Sequence, residues 1–416
     1  MTSNSLAVDL VRFGRNQTRN MIKWLLGYRL TTPSLGSCTL DLDDVALAKA
    51  QIRKKSAWFD VERVREYERA FAQWNGSKFA FAFMGGRAAL SACVYALNLK
   101  PDDEVIIPGY TCVVVPNAFH FEGIKTVYSD IELDTFGLDA SLIEEKITSK
   151  TKAILLHHLY GLVCRDYESI LEISQKHGLF LIEDCAQATG AEFKGQKIGN
   201  LGNVAIYSTE QSKVMTTIQG GMATTNHDGI AKRLEEYYTQ ADYPDTDFIH
   251  NQLYCVIINY YSYKDPQRWW KGELIRLRHK DKILISTTKE EERGIRPANY
   301  GCKMPSPIAA IGLNQLKKID SYNEKRRKTA KEWDEWCDSN GYKKPVVIPE
   351  SNPIYLRYPV IVEPERKTNT SWAYKQLGIN LGVWFVSHIH PVSGEIKDCP
   401  KASEAVKGCV NFPTLI

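Results

Sequence analysis

The chain has 416 residues, of which 44% are hydrophobic, a length that usually divides into two domains with a large core. Its net charge of +4 is small for this length and gives no sign of nucleic-acid binding, and no nucleic-acid partner is expected. Ten cysteines are scattered singly without a CxxC pair, so neither a metal site nor a disulfide framework is indicated. With no signal peptide or long apolar run, we expect a cytoplasmic protein with reduced thiols.

Residues 1–35 form a basic N-terminal arm. It contains "LVRFGRNQTRNMIKWLLGYRL", whose apolar residues recur at roughly helical spacing. A basic and apolar stretch of this kind suits weak peripheral contact with a membrane surface.

Residues 36–237 are predicted to form a large α/β domain, because β-type apolar runs alternate there with helical stretches. The helical stretches include "RAALSACVYALNL" and "DYESILEISQKHG". This alternation predicts a mostly parallel sheet covered by helices on both faces, with ligands at the carboxyl ends of the strands. The strand candidates are "SKFAFAF", "DEVIIP", "KTVYSDI", "KAILLHHLYG", "LFLIEDCAQ" and "NVAIYS".

The first polar cluster at a strand end is "FMGGRAALSACVYAL". A strand leads through two glycines into a helix that begins at Arg87 or Ala88. Glycines such as Gly86 let the backbone approach an anion, and a helix start offers unpaired N–H groups. Arg87 adds a charge that suits phosphate. An ordinary tight turn explains the glycines equally well, so this cluster alone does not decide.

The second cluster, "LIEDCAQATGA", places Asp184 and Gln187 after a buried strand. A carboxylate at this position is costly unless it meets a cation, and the protonated ring nitrogen of a cofactor would be such a cation. The alternative is an aspartate that caps a helix.

The third cluster is "AIYSTEQSKVMTTIQGGMATTN", in which Ser208 ends a strand and Lys213 follows on a loop. Taken alone, Lys213 could be a solvated loop lysine. A phosphate-binding turn, a carboxylate and a lysine on successive strand ends together indicate pyridoxal phosphate (PLP), with Lys213 as the Schiff-base lysine.

With these motifs, the chain resembles the nucleotide-sugar aminotransferase (DegT-type) family of fold-type-I PLP enzymes. The resemblance covers roughly residues 56–235 and 300–412 and includes "DEVIIPGYTCVVVPNAF", "LIEDCAQATGAEFKGQKIGNLGNVAIYS" and "MPSPIAAIGLNQLKKID". It implies a large, mostly parallel-sheet domain followed by a smaller C-terminal α/β domain, residues 299–416. It also implies a homodimer with active sites at the subunit interface.

The resemblance implies a role for each matching residue. Lys213 falls at the Schiff-base lysine, and Asp184 at the residue that keeps the pyridine nitrogen protonated. Gln187 falls where the family contacts the ring, and Ser208 and Gly86 where it holds the phosphate. A lysine rather than a histidine at 213 favours transamination over dehydration.

Several cofactor-binding positions depart from the family pattern. Arg87 stands where the family has Ser or Thr. Cys112 stands where an aromatic ring commonly stacks on PLP, and Tyr110 is the candidate to replace that ring. The family's "N-Y-R-M" element, contributed by the partner subunit, lacks its asparagine at the matching position, and Asn299 is the shifted candidate.

Residues 238–298 form an inserted aromatic and basic segment, longer than the family's usual connection. Trp269 and Trp270, flanked by basic residues, suit a membrane interface, but packing within the dimer or over the active site is favoured. We expect the segment to cover the active-site mouth or the dimer face, and to shape acceptor choice without touching the chemistry.

The resemblance implies an aminotransferase that moves an amino group from an amino acid, expected to be glutamate, to a nucleotide-linked keto-sugar. Such a reaction belongs to bacterial-type surface polysaccharide or amino-sugar biosynthesis. Two alternatives stay open at this point. One is a PLP enzyme that acts on a cyclitol-type ketone, and the other is a catalytically silent PLP-binding regulator.

Overall fold

A computed structural model describes residues 39–264 and 283–416, together with the single residues 18, 274 and 278. The predicted N-terminal arm, apart from residue 18, lies outside the described residues, and so do Trp269 and Trp270. Among the helices that are described, none is long and apolar enough to cross a membrane.

The described residues form a seven-stranded central sheet with the strand order β1-β10-β9-β6-β5-β2-β4. The neighbours from β9 to β4 are parallel, whereas β10 is antiparallel to both β1 and β9. The predicted mostly parallel sheet is therefore confirmed. The strands are β1 Phe79–Phe83, β2 Glu104–Pro108, β3 Thr111–Cys112, β4 Lys125–Ser129, β5 Thr151–His157, β6 Phe180–Asp184, β7 Glu192–Phe193, β8 Gln196–Lys197, β9 Val204–Ser208, β10 Gly221–Thr225, β11 Ser351–Asn352, β12 Tyr358–Ile361, β13 Ile389–His390 and β14 Cys409–Phe412.

Helices cover both faces of this sheet and continue into the C-terminal part of the chain. The α-helices are α1 Leu42–Arg53, α2 Val61–Asn75, α3 Gly86–Ala96, α4 Val114–His120, α5 Tyr167–Lys176, α6 Asp228–Gln240, α7 Thr246–Asn259, α8 Lys289–Glu292, α9 Ser306–Leu316, α10 Ile319–Asn340, α11 Pro364–Thr368, α12 Ser371–Leu377 and α13 Pro400–Gly408. Short 3₁₀ helices span Lys55–Ala57, Ala140–Leu142, Glu144–Lys146 and Leu159–Gly161, and a π-helical turn spans Tyr260–Lys264.

The central strands of the sheet are largely apolar because each face of the sheet is buried in its own core. In β2, Val105 and Ile107 belong to one hydrophobic cluster and Ile106 belongs to the other. Parallel strands buried on both faces read as continuous apolar runs, which is why they could be recognised in the sequence. Helix α3 covers one face with small residues such as Ala88 and Ala89, both fully buried.

Two predicted domain boundaries fall within continuous parts of the structure. The predicted boundary at residues 237 and 238 lies inside helix α6, Asp228–Gln240. The beginning of residues 299–416 belongs with the large sheet. Backbone hydrogen bonds join Met84 to Cys302 (2.9 Å) and Met304 to Ala82 (3.1 Å), and α9 packs against α2.

The C-terminal part of the chain begins after α10 and brings strands from distant segments together. Strands β12 and β14 form an antiparallel pair, and β11 adds to the β7–β8 hairpin. Strand β13 lies parallel to β3, with His390 opposite Cys112. This last pairing carries residues near 390 to the carboxyl end of the central sheet, where the candidate site lies.

Candidate active site

A cavity of about 590 Å³ lies at the carboxyl ends of the parallel strands. Its walls come from the ends of β5, β6 and β9, from the start of α3, and from the C-terminal residues 383–385, 390 and 391. Most of the residues predicted from the sequence line it together, namely Gly86, Arg87, Cys112, Asp184, Gln187, Ser208 and Lys213.

At one end of the cavity, the start of α3 packs closely against β9 and β10. Gly85 precedes the helix in an extended conformation, and Gly86 is its first residue. A side chain at Gly86 would place its Cβ 3.0 Å from the Ser208 Cβ, and a Cβ at Gly221 would lie 2.4 Å from the backbone of Gly85 and Gly86. These glycines let the free N–H groups of the first helical turn face the cavity beside the Ser208 hydroxyl, which is an anion-binding arrangement.

Arg87 lies at the same end, but its charge is already balanced. Its guanidinium donates hydrogen bonds to the Glu291 carboxylate and to the Ser286 carbonyl. Glu291 is fully buried, and its second oxygen accepts a hydrogen bond of 2.9 Å from the Thr288 N–H. The sequence did not indicate this partner. Ser286 and Thr287 also line the cavity, so the end of the predicted insertion forms part of its wall.

Asp184 ends strand β6 with its side chain half-buried at the cavity wall. Burial raises the pKa of its carboxyl group, while the Ala186 N–H and the nearby Lys213 and His158 act in the opposite direction. One carboxylate oxygen accepts a hydrogen bond of 2.9 Å from the Ala186 N–H. Residues 185–191 are described and contain no helix, so Asp184 is not a helix cap. It is a partly desolvated acid that a cation would stabilise.

Gln187 is held by a residue with unusual backbone geometry. Its amide oxygen accepts a hydrogen bond of 3.0 Å from the backbone N–H of Tyr160, which has a positive φ of 58°. Because the oxygen is used in this way, the amide NH₂ group of Gln187 is the part available to a ligand in the cavity.

Lys213 lies on the loop of residues 209–220 between β9 and β10, and its side chain is half-buried in the cavity wall. Its Nζ atom is 4.5 Å from the centroid of the Trp384 ring. Burial and the positive charge of Arg357 lower the pKa of the amine, whereas Glu210 and other acidic groups oppose that change. Lys213 is therefore not a solvated loop lysine, and a larger fraction of its amine is neutral than in water.

The lysine loop is supported from two sides. Helix α10 contributes Arg326, which donates a hydrogen bond of 2.7 Å to the Val214 carbonyl. Helix α7 contributes Gln252, which donates a hydrogen bond of 2.7 Å to the Thr217 carbonyl. It also contributes Asn259, whose side-chain amide donates a hydrogen bond of 3.0 Å to Gln211 Oε1. Since α7 belongs to the predicted insertion, this segment contacts the loop that carries Lys213, and its effect on the chemistry stays a prediction.

Tyr110 and Asn299 do not line the cavity of this chain. Tyr110 is fully buried, with its hydroxyl 2.9 Å from that of Tyr160 and its ring 4.7 Å from the Phe385 ring. It therefore does not replace the missing stacking ring, and Cys112 is the residue that faces the cavity. Asn299 is half-buried in a turn elsewhere, and its role toward a partner subunit stays a prediction.

The cavity also contains two histidines that the sequence analysis missed at the end of β5. His157 donates to the Phe136 carbonyl at 2.7 Å, and burial lowers its pKa to about 4. His158 accepts a hydrogen bond of 3.1 Å from the Cys164 N–H through Nδ1, so a neutral ring carries its proton on Nε2, 3.5 Å from Glu183. Their place after an apolar run was the signal that could have identified them.

Three further lining residues gave no local signal. Glu210 follows Ser208 in the lysine loop and resembles any polar loop residue. Trp384 and His390 come from the C-terminal part of the chain and reach the cavity through the β13–β3 pairing. Burial and the charges of Lys213 and Lys367 lower the pKa of His390 to about 4, which makes it neutral at pH 7.

The residues present fit pyridoxal phosphate. The helix start beside Ser208 suits a phosphate dianion, and the half-buried Asp184 carboxylate lacks a cationic hydrogen-bond donor among the described residues. The Lys213 amine forms no ion pair with any described residue, and its lowered pKa suits attack on an aldehyde.

Comparison with known sequences shows extended similarity. A model of the DegT/DnrJ/EryC1/StrS aminotransferase family matches residues 42–415. GDP-perosamine synthase of Caulobacter vibrioides is 43% identical over 169 residues, 41% of this chain and 45% of that one. GDP-perosamine synthase of Escherichia coli O157:H7 is 31% identical over 267 residues, 64% of this chain and 61% of that one. Both alignments span less than two thirds of the relative's length.

A third relative has a different kind of substrate in its name. L-glutamine:2-deoxy-scyllo-inosose aminotransferase of Streptomyces kanamyceticus is 40% identical over 171 residues, which are 41% of this chain and 40% of that one.

Solved structures agree with the fold. DesV of S. venezuelae has a TM-score of 0.69 at 23% identity, with 92% of this chain and 93% of that one covered. The PLP form of Spr1654 from Streptococcus pneumoniae has a TM-score of 0.69 at 19% identity, with coverage of 92% and 93%. At these identities the likeness concerns the fold alone, and it confirms the predicted α/β class with a PLP-transferase architecture.

Proposed function

Because the chain belongs to the DegT/DnrJ/EryC1/StrS aminotransferase family, whose cofactor is pyridoxal phosphate, we propose that it aminates a nucleotide-linked keto-sugar. The amino group would come from an amino acid, with glutamate as the first candidate. The observation that carries the proposal is the meeting of Lys213, Asp184 and the helix start at Gly86 in one cavity. We place the reaction in the cytoplasm, in bacterial-type surface polysaccharide or amino-sugar biosynthesis.

Each residue has a proposed task in holding the cofactor. The N–H groups at the start of α3 and the Ser208 hydroxyl would bind the phosphate. Asp184 would accept a hydrogen bond from the protonated ring nitrogen, which offsets the cost of its burial. Gln187 and Cys112 would contact the ring. When bound, pyridoxal phosphate supplies an aldehyde that bonds to amines and a ring that accepts electrons.

Lys213 would do the proton transfer. Because its pKa is lowered, Nζ loses its proton more readily than a solvated lysine does, and the neutral amine can take a proton from the α-carbon of the amino donor. The same atom, now an ammonium, can return the proton at another carbon. The Trp384 ring, 4.5 Å away, stabilises the cation without removing its proton, because an aromatic ring attracts a positive charge and is not a base.

The similarity to GDP-perosamine synthases over part of the chain supports a nucleotide sugar as the acceptor. The second candidate is a cyclitol-type ketone with glutamine as the donor, which the relative from Streptomyces kanamyceticus supports. We propose a homodimer in either case, with the element around Asn299 facing the partner's site.

The test follows the cofactor and the product separately. Protein loaded with PLP is mixed with glutamate or glutamine while its absorbance is recorded, and then receives GDP-, dTDP- or UDP-linked keto-sugars or a cyclitol ketone. We expect an amino donor to convert the cofactor spectrum and one nucleotide-linked keto-sugar to restore it, with the aminated product seen by mass spectrometry. Lys213→Ala is the control that should fail. A spectrum that no amino donor changes would favour the silent PLP-binding regulator.

A further inference from the structure

Glu210 has an unusual environment within the lysine loop. Its side chain is 7% exposed and lines the cavity. One carboxylate oxygen, Oε2, accepts hydrogen bonds from the N–H (2.9 Å) and the hydroxyl of Ser212. The other, Oε1, is fully buried and has no hydrogen-bond partner among the described residues. A buried carboxylate oxygen without a partner is costly, so this one indicates a donor that reaches it at some stage of the protein's work.

Lys213, three residues further along the same loop, is the cationic donor that the sequence places nearest to Glu210. A turn joins the two residues, because the Lys213 N–H donates a hydrogen bond of 2.9 Å to the Glu210 carbonyl. Of the charged groups that favour the lysine cation, Glu210 has the strongest effect. In the described structure Nζ lies against the Trp384 ring instead, and it forms no ion pair with a described residue. Rotation about the flexible side chain of Lys213 would move Nζ from the Trp384 ring toward the Glu210 carboxylate.

We propose that Glu210 is a positioning residue for Lys213, whose ammonium group can turn from the Trp384 ring to donate to Glu210 Oε1 once turnover releases the amine from the cofactor. The proposal rests on the function proposed above, since only then is the amine released during turnover. Glu210 would hold the ammonium beside the reacting carbons and stabilise its proton until it is returned.

Other groups also face Lys213, and they do not offer the same contact. Asp184 would be engaged by the ring nitrogen, Cys112 is a thiol whose pKa burial raises, and the Trp384 ring accepts no classical hydrogen bond. Arg357 repels the ammonium and so does a protonated His390, whose ring is neutral at pH 7. Among the described residues, the groups that act on the amine include Cys112, Asp184, Glu210, Arg357, Trp384 and His390.

A purely structural role for Glu210 would work through Ser212. The bonds from Ser212 to Oε2 stabilise the turn, but they leave Oε1 unused. Ser212→Ala removes the hydroxyl donor and keeps the carboxylate charge, whereas Glu210→Gln removes the charge and keeps the shape. The pair of variants therefore separates a role in the turn from a charge that acts on Lys213.

The experiment measures the Lys213 amine without relying on turnover. The full-length chain, freed of cofactor, is treated with trace acetic anhydride at a series of pH values, and labelling of Lys213 is quantified by peptide mapping. Loss of a negative neighbour destabilises the ammonium, so Glu210→Gln should lower the apparent pKa of Lys213 by about one unit and raise its labelling up to about tenfold where the parent amine is protonated. Ser212→Ala should keep the parent curve, and so should Glu210→Asp, because both variants keep the carboxylate charge beside Lys213.

Identical labelling curves for the parent and Glu210→Gln would overturn the proposal, and so would an equal shift in Ser212→Ala. If circular dichroism shows that Glu210→Gln does not fold, Glu210→Asp is compared with the parent instead. In that variant, an unchanged pKa of Lys213 together with an amino-donor half-reaction at least about tenfold slower would support a positioning role. Unchanged rates would then refute it. The two proposals can fail independently. If Glu210→Gln shifts the Lys213 labelling curve but no amino donor changes the cofactor spectrum of the parent protein, only the proposed function is refuted. If the parent protein is an active transaminase but Glu210→Gln leaves the labelling curve unchanged, only the role of Glu210 is refuted.

Discussion

Arg87, in the first turn of the helix at the cavity, is paired with Glu291, a residue whose side chain is completely buried. This contact joins the end of residues 238–298 to the proposed phosphate site. Asn117 adds to it by donating a hydrogen bond of 2.8 Å to the Glu291 carbonyl. The pair therefore connects the stability of the fold with the shape of the site.

Removing the charge of Glu291 should destabilise the protein. Glu291→Gln leaves Arg87, which is 20% exposed, without its counter-charge, and breaking such a pair typically costs about 3 kcal/mol. Urea unfolding of the cofactor-free protein measures the change. The matched control is Glu66→Gln, because the Arg63–Glu66 pair is half-exposed and should contribute less than about 1 kcal/mol. Equal losses in the two variants would show that Arg87 does not depend on Glu291.

Lys213 should carry the cofactor covalently. Borohydride treatment of the PLP-loaded protein should fix the cofactor to the peptide that contains Lys213, because among the described lysines this one lines the cavity, and its pKa is lowered. Peptide mapping locates the label. Lys303, on the large sheet but outside the cavity, serves as the internal comparison. A label on any other lysine contradicts the assignment.

Asp184→Asn should separate cofactor binding from turnover. The amide can still accept the Ala186 N–H, so folding and PLP binding should persist. It cannot hold the ring nitrogen protonated, and we expect the amino-donor half-reaction to slow by about 100-fold or more. Stopped-flow absorbance checks this. Asp228→Asn, in an exposed pair with Lys78, is the control that should retain the parent rate. Near-parent rates for Asp184→Asn would mean that the carboxylate is dispensable.

The buried amine of Lys213 should make the stability of the folded protein depend on pH. Its folded-state pKa lies below the usual 10.5, so the native protein binds fewer protons than the unfolded chain, and this group's contribution to stability rises as pH increases toward 10.5. In cofactor-free protein, Lys213→Met should therefore raise the melting temperature at neutral pH, with a difference that narrows at higher pH. A difference that does not vary with pH would mean that the amine is not desolvated.

Gln252 should matter for cofactor binding although it does not line the cavity. It is fully buried and donates to the carbonyls of Thr217 and Gln219 in the lysine loop. Gln252→Leu leaves both carbonyls without this donor, and we expect a loss of about 1–3 kcal/mol in stability and weaker PLP binding by equilibrium titration. Gln240→Leu, at the exposed end of α6, is the control. Parent-like PLP affinity in Gln252→Leu would show that the loop holds itself in place.

The strand ends that line the cavity could be predicted because each buried parallel strand corresponds to a continuous apolar run in the sequence. Asp184 follows one such run and Ser208 ends another. Because ligands bind at the carboxyl ends of parallel strands, the two residues could be predicted to lie in the same site. The antiparallel direction of β10 was not predictable in this way, since "MATTN" reads the same in either direction.

The rest of the site depends on contacts between distant segments. Nothing near Arg87 announces a partner 204 positions later, and nothing near Trp384 places its ring beside Lys213. The choice between Tyr110 and Cys112 was also beyond local pattern, because the hydroxyl contact with Tyr160 that holds Tyr110 in the core exists only in the folded chain.

The position of β1 at the edge of the central sheet has a consequence for synthesis on the ribosome. Its partner in that sheet is β10, and the register joins Phe79 to Thr225 and Phe83 to Gly221. The apolar sequence "FAFAF" therefore waits for its hydrogen-bond partner while the intervening strands and helices are translated. Such late, long-range pairing slows folding and leaves an exposed apolar segment that is prone to aggregation. Nascent chains that stop before residue 225 should bind chaperones through this segment, and release should follow once β10 has emerged.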